Sequence, residues 1–286
     1  MARGAIHSNR FTQTMTMEKQ HIAILVPLSK RPGLSDEEKI SLRHLTHHLA
    51  DYPKFFMAPK SVTLRHEDLG IKTFPDEYFG SVKAHNKLLM SEMFYRSFSD
   101  YEYIMIYHLD SLVFSSSLDR WCAKGYDLVA PPWIPGPDLP WLNEAGVGNG
   151  GLSLRRVESF LRILQSRERW RNGVQTNSEE RARSPAASRI VRTLKDYRFR
   201  FRYRNGIKHE IRSYVEKGGN EDRFWWKRGK KYYPDFNIAP AEIALQFGFE
   251  GNPRRCLELN GGQLPFGCHA WERYDRSFWE PLLLPE

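Results

Sequence analysis

Short apolar runs punctuated by proline and glycine alternate with longer stretches whose apolar residues recur every three or four positions, a pattern that predicts an α/β fold. His21 to Leu28 (HIAILVPL) is continuous and β-branched and stops at Pro27 and the polar SKRPG loop, so it reads as a buried first strand. Ser35 with Glu38 three residues later forms a capping-box signature, and Ile40, Leu42, Leu45 and Leu49 then give a helical stripe. Lys54 to Ala58 reads as a second strand and Val62 to Leu64 as a brief third. Ser81 to Phe98 reads as a helix with Val82, Leu88, Leu89, Met93 and Phe94 on its inner face. It delivers the chain to the strand in YIMIYHLDSLVF, Tyr103 to Phe114. Tyr126 to Ala130 is a further strand, stopped by Pro131 and Pro132. Strands alternating with helices in the first half imply a mainly parallel sheet. The Pro- and Gly-rich stretch from Pro131 to Gly151 reads as a long loop, and GGLSLRRVESFLRILQ after it as a short strand followed by a helix.

Charge changes this picture in one place. The chain carries a formal charge of +9, but between Ser166 and Lys217 there are 15 Lys/Arg against 6 Asp/Glu, which accounts for the whole surplus. Residues 21–286 therefore read as a single, otherwise neutral domain carrying a basic insertion at 166–217. Within the insertion, Arg198 to Arg204 (RFRFRYR) alternates strictly, predicting a strand with arginines on one face and Phe199, Phe201 and Tyr203 on the other. Two readings stay open: a solvated hairpin packing its aromatics on the body, or a surface for an anionic partner such as RNA, acidic glycan or phospholipid head groups. Nucleic acid ranks lower, because the rest of the chain is balanced. An anionic membrane surface remains a partner for this segment. Ser178 to Ser188 reads as flexible.

No run approaches eighteen apolar residues, so no transmembrane helix is expected. Residues 1–20 have no apolar core of a signal peptide and read as a disordered lead. Cys122, Cys256 and Cys268 include no C-x-x-C pair, which indicates neither a zinc framework nor a disulfide scaffold and makes a reduced, cytoplasmic compartment the default.

Four polar clusters sit in apolar or aromatic surroundings. His108 and Asp110, two apart at the end of a strand, would project together where open α/β sheets bind ligands; they suit either a divalent cation or an ordinary turn. GVGNGG, Gly146 to Gly151, lets backbone approach a ligand closely, but it lacks the context of a P-loop or a dinucleotide fingerprint. Asn220, Glu221 and Asp222 precede an aromatic run; these carboxylates either start a helix or supply a general base. His269, in PFGCHAW, is either structural or a metal or phosphate contact.

At these clusters the chain resembles an uncharacterised, glycosyltransferase-like family related to GT-A-fold glycosyltransferases. The matching segments are FPDEYFGSVKAHNKLLMSEMFYRSF, YEYIMIYHLDSLVF, VGNGGLSLRR, NEDRFW, FNIAPAEIALQFGFE and LPFGCHAW, in order from Phe74 to Trp271. The resemblance implies a GT-A-like fold, a Rossmann-like nucleotide-sugar-binding sheet flanked by helices, and transfer from a nucleotide-sugar donor, with a UDP-sugar as the commonest case, to a hydroxyl acceptor. It implies that Asp110 holds Mn²⁺ or Mg²⁺ on the donor diphosphate, with His269 completing the metal site. His108 stands where the first Asp of a D-x-D motif would be and contacts ribose or sugar at most. Asn149, Gly150 and Gly151 would line the sugar and acceptor pocket, Asp222 would be the base of an inverting reaction, and Glu221 would hold the acceptor. Asn86 and Lys87 either face the diphosphate or are the exposed side of a helix. The same resemblance also admits a binding protein that keeps the fold without turnover.

Overall fold

A computed structural model describes residues 21–28, 33–63, 66–140, 142–143, 145–166 and 206–285. The chain opens with strand β1 (Ile22–Pro27), whose first five residues are fully buried, as expected of a central parallel strand covered on both faces. Helix α1 (Asp36–His48) follows, with the capping box in place: the Ser35 hydroxyl accepts from the Glu38 amide and the Glu38 carboxylate accepts from the Ser35 amide. At its other end the buried Lys54 ammonium donates to the carbonyls of the C-cap Leu49 and of Ala50 and Tyr52 in the turn that follows. Lys54 begins β2 (Lys54–Pro59), and β3 is Gly70–Phe74. The third strand thus lies after the segment expected; Val62 sits in a turn closed by its amide on the Pro59 carbonyl.

The helix expected over Ser81 to Phe98 is two helices, α2 (Val82–Leu89) and α3 (Glu92–Arg96), separated at Met90 and Ser91. The Ser91 hydroxyl caps the second by accepting from the Phe94 amide, so the chain restarts there. The break re-aims the stripe: Leu88, Leu89 and Phe94 are buried as expected, whereas Val82 and Met93 are exposed. Strand β4 (Tyr103–Tyr107) comes next, then β5 (Ser111–Val113), α4 (Leu118–Ala123), β6 (Leu128–Val129), β7 (Pro132–Trp133), β8 (Gly146–Val147), β9 (Leu152–Arg156) and α5 (Val157–Leu164). The stretch expected to be one long loop therefore contains a two-stranded ribbon, β7 against β8.

After residue 205 the chain continues through α6 (Ile207–Glu216), α7 (Glu221–Tyr232), α8 (Ala241–Phe247), β10 (Gly248–Phe249), α9 (Pro253–Leu259), β11 (Gly267–His269) and α10 (Arg276–Trp279). Ile207, Ile211 and Val215 of α6 are buried in the main core, so the C-terminal end of the basic segment belongs to the body. The lead at 1–20, the Ser178 to Ser188 stretch and the RFRFRYR strand lie outside the described residues.

The six-stranded sheet has the order β3-β2-β1-β4-β9-β6. The first four strands are parallel and β9 runs against β4 and β6. Alternation along the strands fills two cores, one per face. Ala23, Leu25, Ile104 and Ile106 join α2, α3, α5 and α7 on one side; Ile22, Ile24, Met105 and Tyr107 join α1 and α4 on the other. Strand order reverses between β1 and β4, and the crevice at the carboxyl ends of such a pair is where a ligand finds exposed loop ends. A smaller sheet, β10-β11-β5, stands beside this crevice. Its C-terminal extension is pinned by His44 of α1, whose Nδ1–H donates to the Val113 carbonyl while Nε2 accepts from the Leu284 amide.

Candidate active site and metal centre

The crevice is furnished by the turn between β4 and β5. His108 continues the ladder for one residue, its amide donating to the Gly151 carbonyl, and the Ser111 amide closes a turn on the His108 carbonyl. His108 and Asp110 therefore sit in a turn beyond the strand rather than on its alternating face. They converge all the same, because β11 pairs antiparallel with β5 in a register that sets His269 opposite Ser111, and the Trp271 amide donates to the Asp110 carbonyl. One ligand atom each from His108, Asp110 and His269 lies within 4.8 Å of the others.

His269 is held from both sides. Its Nε2 is 3.3 Å from Asp110 Oδ1 and its Nδ1 is 3.1 Å from Glu250 Oε1, Glu250 following directly on β10. Burial pulls the imidazole pKa down, but Asp110 and then Glu250 overcome it and raise it to about 10, so the two carboxylates favour positive charge at this position. The Asp110 carboxyl is pushed up by burial but held well below its usual range by His269. Glu250 Oε2 is buried and accepts no hydrogen bond, whereas Asp110 Oδ1 is buried against His269 Nε2 with no further donor. The rest of Asp110 is accessible, with 38% of its side chain exposed.

The glycine-rich segment serves this cluster in a way its sequence did not announce. A Cβ on Gly151 would overlap Nε2 and Cδ2 of His269, so the glycine is what lets the ring lie against the backbone. The Asn149 side-chain oxygen accepts from the amides of Gly151 and Leu152, fixing the turn, and its Nδ2 lies 3.1 Å from His269 Nδ1. A Cβ on Gly150 would come within 2.9 Å of Glu221 Oε1. These glycines thus accommodate protein groups directly.

Helix α7 begins at the candidate base. Asn220 is its N-cap and Glu221 and Asp222 fill the first turn, where the dipole favours negative charge. Glu221 is not positioned to hold an acceptor: it is 2% exposed, and both oxygens are taken by Arg155 of β9 in a bidentate pair at 2.7 and 2.9 Å. Arg155, 1% exposed, also donates to Ser153 Oγ and the Tyr95 hydroxyl, so the pair is fully satisfied. Asp222 turns elsewhere, onto an open cleft of about 260 Å³ lined by Trp133, Leu139, Asn220, Arg223, Glu250 and Tyr274 among others. Burial chiefly, then the charges of Glu221 and Glu250, raise its carboxyl to about 7. The Arg223 amide donates to Asp222 Oδ1 at 2.6 Å.

Asn86 faces α7 rather than any ligand: its Oδ1 accepts from the Glu221 amide and its Nδ2 donates to Asn220 Oδ1. Lys87 is exposed on α2 and is not among the groups brought together. Their neighbour His85 joins the cluster instead, Nε2 to His108 Nε2 at 3.3 Å. Burial first, then the neighbouring imidazole, lowers the His85 pKa to about 3, and burial lowers that of His108 to about 4. His85, Arg155 and Glu250 had carried no sequence signal. Nothing in their local sequence marks them, and only the tertiary partner reveals their use.

A family profile described as "Protein of unknown function (DUF5672)" matches residues 68–269, a span that runs from just before β3 to His269. No curated protein matches the chain. Among solved structures, the chain is similar to the one titled "Crystal Structure of A197 from STIV" at 14% identity, covering 49% of this chain and 67% of that one, with a TM-score of 0.29.

Proposed function

We propose that this chain, which belongs to that family of proteins of unknown function, is a GT-A-type glycosyltransferase that moves a sugar from a nucleotide-sugar donor to a hydroxyl acceptor. The observation that carries the reading is Asp222: a carboxyl raised to about 7, on an open polar cleft beside the His108, Asp110 and His269 group. A base is most effective when its pKa lies near the working pH, because it is then free to accept a proton and strong enough to pull it.

In the proposed reaction Asp222 takes the acceptor hydroxyl proton as that oxygen bonds to the anomeric carbon. The bond from that carbon to the diphosphate breaks, and its electron pair leaves with the nucleoside diphosphate. Attack from the face opposite the leaving group inverts the anomeric centre. Arg155 locks Glu221, which fixes the first turn of α7 and with it the angle at which Asp222 meets the cleft. Asp110 and the two imidazoles, with one ligand atom each within 4.8 Å of the others, fit a divalent cation. Such an ion, when bound, supplies positive charge for the departing diphosphate.

Thermal stability of the full chain against nucleotides and nucleotide sugars, with and without Mn²⁺, tests the reading in wild type and Asp110→Ala. A metal-dependent rise with one donor, lost in the variant, together with diphosphate release that Asp222→Asn abolishes while donor binding persists, is the expected result. No shift with any nucleotide would overturn it, and binding without turnover would leave a non-catalytic member of the same fold.

A further inference from the structure

The ions that the resemblance implies are Mn²⁺ or Mg²⁺, and the donor set here does not suit Mg²⁺. Magnesium demands near-ideal octahedral oxygen ligation and usually meets proteins through one or two carboxylates. At this site a single carboxylate, Asp110, is joined by two imidazoles, His108 and His269. Imidazole ligands favour the later first-row dications, and two His with one carboxylate is a recurrent set for them.

Both imidazoles also have the outer support that such centres use. A ligating histidine engages its second nitrogen with a carboxylate or another acceptor, which fixes ring and tautomer. His269 presents Nε2 toward Asp110 at 3.3 Å and Nδ1 toward Glu250 at 3.1 Å. His108 has His85 at 3.3 Å, its ring centroid 5.2 Å from that of His108. Ligands at about 2.1 Å from one ion stand roughly 3–3.5 Å apart. The Asp110–His269 pair already does so, and all three ligand atoms fall within 4.8 Å. Gly151 leaves the His269 ring the room it needs, and apart from that ring the buried Asp110 Oδ1 meets no donor.

We infer that His108, Asp110 and His269, braced by His85 and Glu250, form a nitrogen-rich centre for a dication of the Fe²⁺ to Zn²⁺ group, with Mn²⁺ weaker and Mg²⁺ and Ca²⁺ excluded. The inference deepens the group-transfer reading, since it names the ion of that same site, but it is read without any nucleotide.

The test uses the full chain stripped with chelator and titrated with Co²⁺, whose visible bands report nitrogen ligation. One Co²⁺ per chain is expected, displaced by equimolar Zn²⁺ and unaffected by about hundredfold Mg²⁺. His269→Gln and Asp110→Asn should lose the bands, and His85→Asn should weaken binding by about 10- to 100-fold. His47→Ala, on α1, should change nothing. Displacement by Mg²⁺, or bands that vanish in His47→Ala, would overturn the inference. If the site variants fail to fold, the wild type still decides: a Co²⁺ spectrum identical to the hydrated ion refutes nitrogen ligation. Metal binding as expected without turnover of any donor would retire the transferase and keep the centre; donor binding with Mg²⁺ competing freely would do the reverse.

Discussion

Replacing Asp222 by asparagine keeps the shape of the side chain and removes a single proton-binding group. In the unfolded chain this carboxyl ionises near 3.8, whereas in the folded chain it holds its proton to about 7. Between those two values the folded state binds the extra proton, so wild-type stability falls as pH rises, and above about 7 the loss is complete. The shift is about three units, and at about 1.4 kcal/mol per unit its ceiling is about 4 kcal/mol. Asp222 is only half-buried and borders an open cleft, so water screens part of this and about 2–4 kcal/mol is the expected total. Asparagine carries no such burden. Urea unfolding of both proteins should therefore show the variant gaining about 1–3 kcal/mol on wild type between pH 5 and pH 8, with little change beyond. A stability difference flat across that range would mean that the carboxyl ionises normally in the folded protein, and the argument for Asp222 as a base would fall with it.

Other perturbations follow from the same geometry. Glu221→Gln leaves the Arg155 charge buried without its partner and should cost about 3–5 kcal/mol in chemical denaturation. Gly151→Ala drives a methyl group into the His269 ring; it should cost about 1–3 kcal/mol and abolish Co²⁺ binding, while a retained Co²⁺ spectrum would show that the ring has another place to go. Burial lowers the His44 pKa below its usual 6.5; protonation keeps the bond to Val113 but removes the Nε2 lone pair that accepts from Leu284, so that bond contributes fully above 6.5 and fades as pH falls below it. Limited proteolysis of the C-terminal tail should accordingly quicken below about pH 6 in wild type, and His44→Asn should show fast cleavage at every pH.

How much of this was legible depended on whether a residue's role is set by its neighbours in sequence or in space. The β1 run and the Ser35–Glu38 box involve residues a few positions apart, and both formed as read. The break between α2 and α3 was equally local, since Ser91 precedes Glu92 as a cap, but a continuous apolar stripe masked it. The site was legible in type: His108, Asp110, Asn149, Gly151 and His269 do converge. Roles were not. Nothing in NEDRFW distinguishes the carboxylate that Arg155 seals from the one that faces the cleft, because the difference is made by β9. The glycines before β9 looked like room for a ligand, and the occupant next to Gly151 is an imidazole supplied from near the other end of the chain.

That last placement has a consequence for the order of folding. His269 reaches its partners only when β11 adds to β5, across about half of the sequence, and a pairing so distant must overcome a large loop-closure entropy before it returns any contact. The six-stranded sheet is complete once β9 has been made, well before the strand bearing His269 is available. An ion binding at this centre would then act as a clasp on a nearly finished molecule. Its retention would mark a chain in which β11 has docked on β5.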